Sequence, residues 1–349
     1  MAFDGVFTHF IKQELSNNLL NGRINKIYQI SNYELIFVIR ANQQTHKLLI
    51  SIHPNYARVH LTKENYPTPQ EPPMFCMLLR KHLESGIINN IIQKGCDRIL
   101  EFHIEHLNEM GDKEIKKLII EIMGKHSNII LVNSNNNRII DSIKHISPFL
   151  NSYRTLQPGA DYLYPPSNDK VNFFLATKDD FNNFNYLSDN LDKQIINYFE
   201  GVSPLIAKEL LFNTIFNMEG LYNSYLKFIE KIKHNINPSI IITPKKSFFY
   251  LYPLESINGE IKSFNTLGEM LDRFYFNKED SERIKQQTQD LKRFIKNELD
   301  KNFNKLNNLN TDLFLAKESL DCKKYGDLII ANSYHLTKGL TSFTTTDYR

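Results

Sequence analysis

Two short strings carry side chains suited to holding a polyanion. The first is Asp97-Arg98, directly after Gly95-Cys96. A guanidinium offers a planar fork to a phosphate or a base edge, and the adjacent carboxylate accepts from a base amine or holds the arginine in place. The same pair also reads as an ordinary surface ion pair at the entrance to a strand, and residue types alone favour that plainer reading. The second string, Glu121-Ile122-Met123-Gly124-Lys125-His126-Ser127-Asn128, ends an apolar run and turns at Gly124. Lys125 supplies a point charge and Asn128 a group that both donates and accepts, a combination suited to phosphate contact. The alternative puts Ile122 and Met123 in the core and makes His126 a satisfied turn histidine.

The remaining chemistry-bearing residues read as structural. Arg80-Lys81-His82 follow the apolar face of a helix and form its solvated basic side, while Cys76 and Met77 fill core gaps. Cys76, Cys96 and Cys322 are an odd, scattered set, which argues against a disulfide framework or a zinc site. No metal and no cofactor is expected. In Gly201-Val202-Ser203-Pro204 the glycine ends one helix, the serine caps the next and the proline takes its first turn, a helix-hairpin-helix signature. Its amides could meet a phosphate, but with one glycine instead of two a packing role is favoured.

The elements that must position these residues change along the chain. Period-two runs at 23–30, 34–40, 47–53, 57–62, 98–106, 116–123 and 128–133 predict an antiparallel β-rich domain. Two helices punctuate it. One is capped by Asp4 with Val6, Phe7, Phe10 and Ile11 on one face, and the other starts at Pro72-Pro73 and stops at Gly86. The proline and glycine density of 156–166 marks a connecting loop. Helices follow at 191–199, 203–211 and 221–234, then strand-like pieces at 240–242 and 248–251. From 279 to 323, Ile284, Thr288, Leu291, Ile295, Leu306, Leu309, Leu313, Ala316 and Leu320 step by threes and fours, a coiled-coil seam with a slip at Leu299. The predicted class is α+β, divided as 1–155, 156–278 and 279–349. No helix of matching length returns after the seam, so the expectation is that the chain stops within a helical hairpin or that another molecule, a second copy included, fills it.

The 349 residues carry 42 basic and 39 acidic side chains, a net charge of +3 too slight to signal nucleic-acid binding by itself. With 41% hydrophobic residues and no apolar run near the roughly twenty residues a spanning helix needs, a membrane helix is excluded. The start, Met1-Ala2-Phe3-Asp4-Gly5, lacks the form of a signal peptide, so a cytoplasmic, reduced protein is expected.

Four strings read in order, EPPMFCMLLRKHLESG (71–86), GCDR (95–98), EIMGKHSN (121–128) and YRTLQPGADYLYPP (153–166), resemble the NFACT family, and the resemblance spans essentially the whole chain. It implies an N-terminal domain with a glycosylase-like fold, a helix-hairpin-helix region and a coiled coil. It further implies ribosome-associated quality control. Such proteins bind large ribosomal subunits that hold peptidyl-tRNA and recruit alanyl-tRNA for template-free alanine tailing, the ribosome itself making each peptide bond. On this resemblance Asp97 and Arg98 contact the tRNA anticodon arm, and Glu121, Ile122 and Met123 also touch tRNA. Lys125, His126, Asn128, Arg80 and Lys81 are weaker RNA candidates, and the coiled coil reaches ribosomal RNA or a stalk-base protein.

Two other readings are weighed. An older family name suggests a fibronectin-binding surface adhesin, for which the sequence shows no signal peptide, wall anchor or extracellular repeat. Glycosylase chemistry needs an N-terminal proline amine followed by glutamate, and Ala2 stands where that pair would open the chain.

Overall fold

Asp4 starts the first helix. Its Oδ1 accepts the Phe7 N–H at 2.8 Å, satisfying one donor that a first turn leaves open, and α1 (Gly5–Leu19) buries Val6, Phe7, Phe10, Ile11, Leu15 and Leu19. The computed structural model describes residues 3–347 apart from 109, 150–152, 167 and 168, with the side chains of 276–287 and 290 also left undescribed. Ala2 and the side chain of Ile284 on the expected seam therefore lie outside the described residues. The chain divides into two units, Met1–Asn277 and Lys278–Arg349.

In the first unit, nine strands make one antiparallel sheet. They are β1 (Arg23–Ser31), β2 (Glu34–Ala41), β3 (Gln44–Ser51), β4 (Arg58–Thr62), β5 (Ile87–Gln93), β6 (Ile99–Leu107), β7 (Lys113–Glu121), β8 (Asn128–Asn133) and β9 (Ile139–Ser142), in the order β4-β3-β2-β1-β5-β6-β7-β8-β9. Two meanders join at one register pair, Arg23↔Ile87. Side chains alternate across β6, β7 and β8 as the pleat requires. Leu100, Phe102, Leu118, Ile120, Ile129 and Leu131 belong to the main core with α1, whereas Ile99, Ile119, Ile130 and Val132 join Leu156 and Tyr162 in a smaller second core.

Between β4 and β5, α2 (Met74–Leu83) packs Phe75, Cys76, Leu79 and Leu83 inward. Met77, expected to fill a core gap, is 53% exposed. Gly86 does not stop this helix by a left-handed turn. Ser85 takes that conformation, with φ 68°, while a Cβ on Gly86 would come within 2.7 Å of Ile104 Cγ2, so the glycine permits close strand packing. Two strands of the large sheet lie outside the sequence expectation. In β5 a register shift between Ile88 and Asn90 disturbs the alternation, and β9 is only four residues long.

Beyond β9 come β10 (Val171–Asn172), α3 (Leu191–Tyr198), β11 (Phe199–Glu200), α4 (Pro204–Leu211) and α5 (Met218–His234). A small antiparallel sheet of β12 (Ser239–Ile242), β13 (Ser247–Tyr250) and β14 (Glu260–Ser263) follows, in the order β13-β12-β14. β14 is exposed throughout and gave no apolar signal. Gly201 has φ 88°, and a Cβ there would lie 2.3 Å from Cys96 Sγ; its carbonyl accepts the Gly5 N–H at 3.1 Å, so α1, α4 and the β5–β6 turn close on one point.

The helix expected at 279–323 is α6 (Leu267–Ala331), longer at both ends. Its start is set by distant residues: the Glu14 carboxylate accepts the N–H groups of Leu267 at 2.9 Å and Gly268 at 3.1 Å, acting as a cap supplied by α1. One turn on, buried Asp272 accepts from Thr62 Oγ1 at 2.7 Å and Lys63 N–H at 2.9 Å and pairs with His60 Nε2 at 2.8 Å. In the second unit Leu291, Ile295, Leu306, Leu309, Leu313 and Leu320 are each more than half exposed.

Candidate nucleic-acid interface

β6 begins at Ile99 and β7 ends at Glu121, and these two residues are register partners. Pairing continues one residue further, the Ile122 N–H donating to the Arg98 carbonyl at 2.9 Å. Because β7 also pairs with β8 through Glu121↔Asn128, the turn carrying Asp97-Arg98 and the turn carrying Lys125-His126 emerge at the same end of adjacent strands. The fold thus brings together two strings far apart in the chain.

The first turn is braced from α1. Gln93 Nε2 donates to the Asp97 carbonyl at 2.8 Å and to the Gly5 carbonyl at 2.9 Å, and Asp97 Oδ1 accepts the Arg98 N–H at 2.7 Å. Both Asp97 and Arg98 are half-buried and border a cavity of about 390 Å³ shared with Asp4, Lys170, Glu200 and Ser203. Asp4 is sealed behind it, accepting from Ser203 Oγ at 2.5 Å. Burial pushes its carboxyl up to about 7 even though the Ser203 and Phe7 hydrogen bonds and the Arg98 charge pull it down. Cys96 beside it is also buried, its thiol pushed up by desolvation and by the charges of Asp4, Glu200 and Asp97, so it has little thiolate character.

The second turn stands on a sealed ion pair. Glu121 is fully buried and takes a two-pronged grip from Arg154, Nη1 to Oε1 and Nη2 to Oε2 both at 2.6 Å, while Tyr162 OH donates to Oε1 at 2.9 Å. Burial and the Glu121 charge both push the Tyr162 hydroxyl pKa up, which keeps it a donor. Burial opposes the Arg154 charge, but the Glu121 hydrogen bonds and charge raise its pKa on balance. Tyr164, on the same loop, donates to Glu101, and Lys94 Nζ lies 4.6 Å over its ring. Gly124, with φ 61°, opens a 3-10 turn, and Ser127 Oγ accepts the Met123 N–H at 2.8 Å. Lys125 and His126 are exposed, and Met123 is half-buried against the second core.

Three of the expected RNA contacts are buried. Glu121 and Ile122 are 0% exposed, and Asn128 is 1% exposed. Asn128 gives its amide to the Lys144 carbonyl at 2.8 Å and accepts the N–H groups of Lys144 at 3.1 Å and Ile129 at 2.9 Å. These side chains hold the turn in shape and do not project from it. On α2, Arg80 Nε donates to the Ile27 carbonyl at 2.8 Å and its guanidinium lies 5.6 Å over Tyr28, while Lys81 is exposed. Arg154, Tyr162, Tyr164, Lys94, Lys144 and Lys170 were missed by sequence reasoning. Arg154 and the tyrosines lay in view within a string whose proline and glycine density marked only a loop. Among the described residues no group of His, Cys, Asp and Glu gathers as a metal site, and no helix is long and apolar enough to cross a membrane.

A large antiparallel sheet with helices packed on it and basic turns at one strand end is a mixed α and β architecture. Residues 4–349 match the family described as NFACT N-terminal and middle domains, and the chain belongs to that family. It is 47% identical over 342 residues to the Rqc2 homolog RqcH of Bacillus subtilis, covering 97% of this chain and 60% of that protein. It is 37% identical to the Rqc2 homolog RqcH of Streptococcus pneumoniae strain D39, covering 94% of this chain and 58% of that one. This chain therefore spans about 60% of the length of such relatives. Among solved structures, a fibrinogen binding protein from Staphylococcus aureus matches with a TM-score of 0.72 at 38% identity, over 79% of this chain and 99% of that one.

Proposed function

We propose that the chain is the RNA-reading portion of a ribosome-associated quality-control factor. In this reading it engages a large ribosomal subunit that holds peptidyl-tRNA and recruits alanyl-tRNA for template-free alanine tailing in the cytosol. The ribosome makes the peptide bond, and the protein contributes positioning without chemistry or cofactor. The observation that carries the reading is the junction of the Asp97-Arg98 turn with the Met123 to His126 turn at one sheet end. The names and identities of the RqcH relatives support it.

The roles follow from exposure. Arg98 presents its fork to a phosphate or base edge with Asp97 fixing the adjacent backbone; Lys125 and His126 meet phosphate; Met123 offers an apolar contact. Glu121, Ile122 and Asn128 hold that turn from below, and Lys81 adds charge from α2, where Arg80 is engaged with Ile27. The α3–α4 pair serves as a helix-hairpin-helix, and α6 as a coiled-coil arm toward ribosomal RNA or a stalk-base protein, its apolar seam covered by another helix or a second copy. Sequencing the RNA that co-purifies with the protein tests the reading. One enriched tRNA species is expected, lost in an Asp97→Ala, Arg98→Ala variant, and undiminished tRNA in that variant overturns the assignment.

A surface adhesin remains the second reading, motivated by the fibrinogen-binding name of the staphylococcal relative. Fractionation separates the two: a ribosome-bound pool favours the first, a cell-surface pool the second.

A further inference from the structure

The first unit contains another cavity, of about 550 Å³, that the tRNA reading does not use. Its wall is aromatic. Phe249 stands 4.8 Å from Phe274 and 5.8 Å from Tyr275, and Phe274 stands 4.9 Å from Tyr275, so the rings fix one another edge to face. Behind them the buried Arg58 guanidinium lies 4.4 Å over the Tyr275 ring. Phe248 and Phe274 remain half-buried and present ring surface to the space.

Two exposed lysines line the same cavity from different elements, Lys208 on α4 and Lys246 on the β12–β13 turn, with Lys246 Nζ 4.6 Å from the Phe248 ring. No carboxylate is found among the described lining residues. Ser256 Oγ is buried there with no hydrogen-bond partner among the described residues, which a ligand would supply. A cavity of this size with apolar walls and a few convergent polar groups has the form of a small-ligand site. Flat ring faces select a planar body, Ser256, Ser247 and Asn55 suit its polar edge, and two cations on one cavity select a phosphate over a single carboxylate.

We propose that this cavity is a nucleotide site, holding a base against Phe248 and Phe274 and its phosphate between Lys208 and Lys246. The nucleotide is either a free mononucleotide or an unpaired nucleotide of an RNA chain. Calorimetry on the full protein with the four common nucleoside monophosphates, their nucleosides, an unstructured RNA hexamer and octanoate distinguishes these sources. Monophosphates or hexamer bind, and the tighter of the two names the source. Lys208→Ala with Lys246→Ala weakens binding about tenfold, as does removing the phosphate. Phe248→Ala weakens it by about tenfold through lost stacking. The proposal fails if no nucleotide or RNA binds at about 1 mM, where a contact worth even ~4 kcal/mol would register. It also fails if binding survives both the lysine and the Phe248 substitutions, or if octanoate binds more tightly than any nucleotide.

Discussion

The turn before β6 and the turn after β7 adjoin at one end of the sheet, yet they use their charged residues in opposite ways. Glu121 is sealed, its two carboxylate oxygens each 2.6 Å from an Arg154 nitrogen. Arg98 stands half-buried at a cavity rim with Asp97 beside it. A charge that is desolvated and fully paired shapes the backbone around it, whereas one at a rim keeps part of its surface toward solvent. Burial therefore separates a charge sealed within the fold from one at a cavity rim, and residue type alone does not.

The strongest way to break this comparison is to unpair the sealed charge. Arg154→Ala leaves Glu121 buried and uncompensated and is expected to cost about 3–5 kcal/mol in urea unfolding. Glu121→Gln with Arg154→Met removes both charges and should cost much less. If the single change proved as mild as the double, the pair would not be the support of the turn.

A second prediction concerns the carboxyl behind Arg98. The Asp4 carboxyl is raised from 3.8 to about 7 by burial, so the folded chain holds this proton more tightly than the unfolded chain does. Its contribution is fully present below about pH 4 and is lost as pH rises through 7, up to about 4 kcal/mol in all. Unfolding of wild type and Asp4→Asn between these pH values checks the sign, since the variant should lose this part of the slope.

Smaller effects are expected at the surface. Asp97→Ala removes the acceptor for the Arg98 N–H and should cost about 1 kcal/mol by thermal unfolding. Lys125→Ala should leave stability within about 0.5 kcal/mol, while lowering the dependence of RNA binding on salt by about one phosphate contact in a binding titration at several ionic strengths. A Lys125→Ala variant with an unchanged salt slope would remove that lysine from the interface.

How much of this was readable depended on whether the signal was local. The Asp4 cap, the Ser203 cap with Pro204 after it, and most strands of the large sheet follow from residue patterns a few positions long, and the structure has them. β5 escaped because a bulge interrupts its alternation, and β14 because its four residues are exposed. The start of α6 escaped because its cap, Glu14, lies on another helix. At the candidate interface the exposed members, Lys125 and His126, were legible as a basic turn. Arg154 was not, since nothing in a proline-rich loop announces that it will fold back on a carboxylate two strands away.

By itself the sequence determined the alternation of the strands, the capped helix starts and the long apolar repeat of α6, because each depends on near neighbours along the chain. Only the tertiary structure decided that Arg98 and Ile122 are bonded neighbours, that Glu121 and Asn128 face inward, and that aromatic rings from separate elements enclose a cavity beside two lysines. Strand register and side-chain burial arise from pairings across the whole chain, which a local pattern permits without specifying.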